Sequence, residues 1–275
     1  MSKGDVRTAF QPILSVTKKR VLVYGFEALA RDSQGGVPLE LLTSHASETL
    51  YEFDFHCRTR ALHDAVSLGL TVNLSLNFLP GAVCHPLYGA DATVRVANEC
   101  GFPIDRLVFE LTEREPVLDY SPLRRCIDRH RVRGARLALD DFGTGFNGLN
   151  TLLELKPDVV KIDMKLVQKI ESDYDRQALM FGICSGGDKL GMRLIAEGVE
   201  TLAGIAALSV SNIDLMQGFF FARPGIGALP GILPTVAREV TQMLAELPVS
   251  AEPGDMRGAE CTSTPGGATD ACRTI

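Results

Sequence analysis

The 275-residue chain contains no run of eighteen consecutive apolar residues, so the sequence predicts no membrane-spanning helix. Nothing behind Met1-Ser2-Lys3-Gly4-Asp5 resembles the apolar segment of a signal peptide, and the expected location is the cytoplasm. The seven cysteines (Cys57, Cys84, Cys100, Cys126, Cys184, Cys261 and Cys272) include no CxxC pair. An odd set without metal-type spacing reads as reduced, largely structural thiols. Positive charge is not in excess, since 28 Lys and Arg stand against 34 Asp and Glu for a net charge of -6. That balance argues against a protein whose main task is gripping nucleic acid. It leaves room for a small phosphorylated ligand, because a metal can supply the local positive charge. None of His45, His56, His63, His85 and His130 falls at the end of a strand-like run, which disfavours imidazole acid–base chemistry.

What the chain does have is alternation. Strand-like runs occur near Ala9–Val16, Val21–Ala30, Leu70–Leu76, Leu107–Thr112, Arg136–Asp140, Val159–Ile162, Arg193–Ala196 and Leu215–Phe221. Amphipathic stretches lie between many of them: Phe53–Leu68, Thr93–Cys100, Leu118–Val132 and Tyr174–Leu190, with a last one at Leu233–Glu246. Eight strands interleaved with helices predict an α/β fold, a (β/α)8 barrel, and the length suits a single such domain. The first two strands follow one another too closely for a helix, so that end of the barrel is expected to be irregular. After Pro248 the composition turns to Pro, Gly, Ser and Thr. The expected organisation is therefore a domain over residues 1–247 and a disordered tail over 248–275.

In a barrel of this kind, chemistry belongs at the C-terminal ends of the strands. There the sequence places Glu27, Asn73, Glu110, the adjacent Asp140 and Asp141, Lys161, Glu197 and Gln217. A single carboxylate at such a place is ordinarily a helix cap or half of an ion pair, and Asp140-Asp141 alone reads equally well as a solvated turn. Five carboxylates are harder to explain that way. Like charges about 5 Å apart repel by roughly 3 kcal/mol even at an effective dielectric of 20. Cation binding is the economical solution. Oxygen donors alone suit Mg2+ or Mn2+ rather than Zn2+. More ligands than one octahedral ion needs suggest two ions, an arrangement typical of phosphodiester chemistry. Lys161 shares a strand face with Asp163, which could orient it to position water or neutralise a phosphoryl oxygen; Arg31 is a candidate phosphate clamp. Without further information, an enolase-like barrel with Mg2+ and a lysine base is also open.

These residues occur in a set of ordered motifs: Phe10-Gln11-Pro12-Ile13, Glu27-Ala28-Leu29-Ala30-Arg31, Asn73-Leu74-Ser75, Glu110-Leu111-Thr112-Glu113, Asp140-Asp141-Phe142-Gly143-Thr144-Gly145, Lys161-Ile162-Asp163, Ala196-Glu197-Gly198-Val199-Glu200 and Gln217-Gly218-Phe219. Over about residues 8 to 240 the chain resembles the EAL-domain cyclic di-GMP phosphodiesterases. Asn77-Phe78-Leu79-Pro80 resembles the EAL domains attached to blue-light sensors. The resemblance implies a TIM-like barrel with an antiparallel first strand. It implies hydrolysis of cyclic di-GMP to linear pGpG with two Mg2+ or Mn2+ ions, in a protein expected to form a homodimer. By the same resemblance Glu27, Asn73, Glu110 and Asp140 would ligate one ion, Asp140 and Asp141 the second, and Glu197 would act as ligand or base. Lys161 would hold the attacking water, Gln217 would support the metal network, Arg31 would contact phosphate and Gln11 the ligand. Glu113 would anchor the loop that follows Phe142. The competing expectation is a catalytically silent cyclic di-GMP receptor or protein-binding EAL domain.

Overall fold

The computed structural model describes residues 6–38, 47–112, 117, 119–143 and 148–247. The expected tail at 248–275, Glu113 and the loop residues 144–147 lie outside the described residues. The chain opens with a hairpin, β1 (Arg7–Val16) and β2 (Val21–Arg31), turning at Lys18 and Lys19 where Thr17 and Arg20 exchange backbone hydrogen bonds of 3.0 and 3.3 Å. Helix α1 (Glu48–Ser67) leads to β3 (Asn73–Phe78), α2 (Ala90–Cys100) to β4 (Leu107–Leu111), and α3 (Tyr120–Arg131) to β5 (Arg136–Phe142). Then come α4 (Gly148–Leu155), β6 (Val159–Ile162), α5 (Met164–Val167), α6 (Tyr174–Leu190), β7 (Arg193–Ala196), α7 (Leu202–Val210), β8 (Leu215–Met216), β9 (Gly225–Ile226) and α8 (Pro234–Glu246).

Strands β2 to β8 run parallel, each bonded to the next. Strand β1 runs against them and closes the ring, pairing with β2 on one side and with β8 on the other. The expected (β/α)8 barrel and its antiparallel first strand are thus both present. The ninth strand, β9, pairs with β1 outside the ring. Two expected strands differ in extent: β3 begins at Asn73 rather than Leu70 and reaches Phe78, and β8 is only Leu215–Met216. Helices α4 and α7 fill connections in which no particular amphipathic stretch stands out in the sequence, and α5 adds one turn after β6. Among the described residues, no helix is long and apolar enough to cross a membrane.

Two apolar shells lie between barrel and helices, one containing Leu62, Phe78, Phe109 and Ile127, the other Leu14, Ile162, Ile205 and Leu208. A third, smaller cluster fills the barrel itself: Ile13, Val108, Ala138, Val159, Ile195 and Leu215. Side chains alternate across a strand, so the residues two positions away from these also point inward. Toward the C-terminal ends of the parallel strands they are Gln11, Glu110, Asp140, Lys161, Glu197 and Gln217. Toward the other end they include Arg136 and Arg193. The interior is therefore a stack: a polar layer, an apolar plug, and a second polar layer at the mouth.

Candidate active site

The upper polar layer gathers around Lys161, which is only 1% exposed. Its Nζ lies 2.8 Å from Glu197 Oε1, 2.9 Å from Asp140 Oδ1, 3.2 Å from Glu27 Oε2 and 3.3 Å from Glu110 Oε2. Gln217 Nε2 donates to Glu27 Oε2 at 2.8 Å and to Gln11 Oε1 at 3.1 Å. The backbone around Gln217 is fixed by its N–H to the Ala196 carbonyl and by its own carbonyl, which accepts from Val199. That close packing needs Gly218, where a Cβ would stand 2.1 Å from the Val199 carbonyl oxygen. Six expected residues (Gln11, Glu27, Glu110, Asp140, Glu197 and Gln217) thus converge on Lys161 at one end of the barrel.

Asp141 joins them through an unusual backbone. Successive residues on a regular strand point to opposite faces, which would turn Asp141 away from Asp140. Its φ of +56° lies in the left-handed region, and the pairing of β5 with β6 shifts register between Leu139 and Phe142. The carboxylates of Asp140, Asp141 and Glu197 come within 4.8 Å of one another, and those of Glu27, Glu110 and Asp140 form a second such trio. Asp140 belongs to both.

Asn73 is not part of this layer. It starts β3, donates from Nδ2 to the Tyr24 carbonyl at 2.8 Å and accepts from Arg136, in the lower polar layer. The asparagine at the mouth is Asn77, whose Nδ2 donates to Glu27 Oε1 at 3.2 Å and whose register partner is Glu110. Four residues along a strand are about 13 Å, which carries Asn73 well below the carboxylates. Asp163 also departs from expectation: its carboxylate accepts from the Lys165 N–H at 2.8 Å, capping α5 rather than orienting Lys161. Arg31 stands at the cavity wall with Nη1 donating to the Ala30 carbonyl. None of the described histidines lines the cavity, and the five described cysteines form no disulfide.

The electrostatics follow from burial. Desolvation pushes the Glu110 carboxyl well above its usual range; Lys161 opposes this, while Glu27 and Asp140 add to it. Glu197 is pushed up to about 8 by burial and by Asp140 and Glu27, again against the pull of Lys161. Burial acts on Glu27 in the same direction, but the Lys161 charge and the hydrogen bonds from Gln217 and Asn77 outweigh it and leave Glu27 below the usual range. Burial alone would lower Lys161; the surrounding Asp140, Glu110, Glu197 and Glu27 raise it well above an ordinary lysine. One ammonium therefore serves four carboxylates, and Glu110 Oε1 is buried with no hydrogen-bond partner. An all-oxygen donor set with an orphaned buried carboxylate oxygen fits a hard divalent cation such as Mg2+, Mn2+ or Ca2+.

Beside the layer lies a cavity of about 300 Å3. Glu27, Asn77, Asp140, Asp141, Lys161 and Glu197 form its polar floor, and Arg31, Asp54 and Arg58 stand in its walls. Asn77, Asp54 and Arg58 are the residues that sequence reasoning missed. The available signal for Asn77 was its inward parity with Asn73 on the same strand.

The family model that matches the sequence is described as "EAL domain" and covers residues 1–224. The crystal structure of a standalone versatile EAL protein from Vibrio cholerae O395, in its c-di-GMP bound form, matches with a TM-score of 0.77 and 36% identity, over 84% of this chain and 97% of that one. A manganese/cy-diGMP complex of BlrP1 from Klebsiella pneumoniae at pH 9.0 matches with a TM-score of 0.76 and 34% identity, over 84% of this chain and 59% of that one. The probable cyclic di-GMP phosphodiesterase PdeD of Escherichia coli (strain K12) is 38% identical over 122 residues, 44% of this chain and 23% of that protein. The chain spans from about a quarter to about half of the length of the first curated relatives it matches.

Proposed function

Because the chain belongs to the EAL-domain family, we propose that it hydrolyses one phosphodiester bond of cyclic di-GMP, releasing linear pGpG, with two Mg2+ or Mn2+ ions at the barrel mouth. The observation that carries this reading is the double carboxylate trio sharing Asp140 beside one buried lysine. Glu27, Asn77, Glu110 and Asp140 would hold one ion, and Asp140, Asp141 and Glu197 the other. Two such ions supply hydroxide at neutral pH and positive charge for an in-line displacement.

The chain's own residues prepare that reaction. The Lys161 ammonium, held among carboxylates at the ends of four strands, is placed to orient water and neutralise a phosphoryl oxygen. Arg31 offers a planar guanidinium to a phosphate from the cavity wall. Glu197 is the most exposed of the carboxylates paired with Lys161, at 17%, which places it at the cavity to ligate the second ion or to act as base toward the attacking water. Gln217 and Gln11 fix Glu27 in its ligating orientation. A homodimer is part of this reading, carried by family resemblance alone.

The test is incubation of the purified chain with cyclic di-GMP and Mg2+ or Mn2+, followed by separation of the nucleotides. The expected product is pGpG. Binding of cyclic di-GMP without turnover at saturating metal would instead assign the chain as a receptor. For the second ion, Asp141→Asn is expected to abolish turnover more completely than it weakens cyclic di-GMP binding; equal loss of both would remove Asp141 from that role.

A further inference from the structure

Arg58 is 2% exposed and sits on α1, in the cavity wall. A buried guanidinium is costly to desolvate, so the partners it takes show what it is fixed to. It pairs with Asp54 one helical turn earlier. It donates to Thr93 Oγ1 of α2 at 3.2 Å, to the Asn77 carbonyl at 3.3 Å and to the Tyr88 carbonyl at 2.6 Å. Its plane lies over the Phe78 ring, 3.7 Å from the centroid. Asp54 in turn accepts a hydrogen bond from the backbone of Leu79. The pair therefore grips the chain on both sides of Phe78, at Asn77 and at Leu79, where β3 ends and the loop toward α2 begins.

We propose that Asp54 and Arg58 are positioning residues that lock the end of β3 so that the Asn77 amide is presented to Glu27 and to a divalent cation. The inference deepens the functional reading above and rests on Asn77 being a ligand there. An asparagine at a strand end has free χ angles and a free carbonyl; the fork of Arg58 removes the backbone freedom, and the Glu27 contact then removes that of the side chain. Groups that orient ligands from behind in this way commonly change metal affinity by about 10-fold to 100-fold when they are replaced.

Arg58→Lys is the discriminating variant. It keeps a positive charge for Asp54, but a single ammonium cannot reproduce a planar fork that reaches three helix and loop partners at once. With Mn2+ alone as the probe, calorimetry of the full chain is expected to show binding about tenfold weaker than wild type. Asn77→Ala should weaken it similarly, and the double variant should be little worse than Asn77→Ala, because both remove the same ligand. A folded Arg58→Lys protein with unchanged Mn2+ affinity overturns the inference, as does a loss of the same factor whether residue 77 is Asn or Ala. Should Arg58→Lys not fold, the paired replacement Asp54→Leu with Arg58→Met substitutes apolar side chains for the ion pair, and the same titration decides. A wild-type chain that takes up no Mn2+ overturns the parent reading together with this one, an outcome distinct from an unshifted variant.

Discussion

At the lower end of the barrel interior, Arg136 donates to the Tyr24 hydroxyl at 2.9 Å, to Asn73 and to the Asp105 carbonyl, and Arg193 stacks on Tyr24 while pairing with Asp214 at 3.0 Å. At the upper end, three or four residues along the same strands, Glu27, Glu110, Asp140 and Glu197 share a single Lys161. Both layers contain charges with aromatic or apolar neighbours, and the plug from Ile13 to Leu215 separates them. They differ in balance. The lower layer has a donor for each acceptor and is complete as it stands. The upper layer has a surplus of acceptors, and a surplus that the fold itself does not neutralise points to a ligand. Paired charge at the barrel's edge is thus a weaker sign of function than buried charge left over.

The largest expected effect tests the shared aspartate. Asp140→Asn should lower turnover of cyclic di-GMP about 10^3-fold, the scale seen when a group stabilising transition-state charge is removed. Its thermal stability in chelator should not fall, because one surplus carboxylate has become neutral; a large drop would mean that the upper layer is balanced like the lower one. Lys161→Met should be more damaging to the fold. It leaves the four carboxylates without their cation, at a cost of about 3 kcal/mol or more by denaturant titration without metal. Added Mn2+ should restore part of that loss.

In the wild-type chain, Mn2+ at about 100 times its dissociation constant should raise stability by about 2.7 kcal/mol, read as a shift in melting temperature against chelator. Burial and the neighbouring Asp140 hold the Glu197 carboxyl at about 8 without metal, so ligation must displace a proton. The Mn2+-induced shift should therefore be smaller at pH 6 than at pH 8. The smallest effects separate the two asparagines. Asn77→Ala should weaken Mn2+ binding by at least about tenfold. Asn73→Ala should leave it unchanged and cost about 1 kcal/mol of stability through the lost bonds to Tyr24 and Arg136. The reverse pattern would return Asn73 to the site.

The barrel was legible because apolar strand runs alternate with stretches long enough for a helix, and the carboxylates were legible because they end those runs. The asparagine was not. Asn73 and Asn77 have the same parity on β3, so alternation sends both inward and says nothing about depth. Depth is set by register with the neighbouring strands, where Asn77 stands beside Glu110 and Asn73 beside Gly25. That is a tertiary quantity. Asp54 and Arg58 were hidden for a related reason: an i,i+4 acid–base pair on a helix reads as a solvated surface bridge until packing buries it. The placement of Asp141 also depended on something no pattern reports, a left-handed backbone at the end of β5.

The direction of β1 has a consequence for control. Because that strand descends while its neighbours climb, Val6, Arg7 and Thr8 stand at the rim of the same cavity that Lys161 and the carboxylates floor. The polypeptide thus comes into the barrel at the mouth where the carboxylates gather. Residue 7 is joined along β1 to Gln11, and through Gln217 to Glu27, with no hinge or long lever in between.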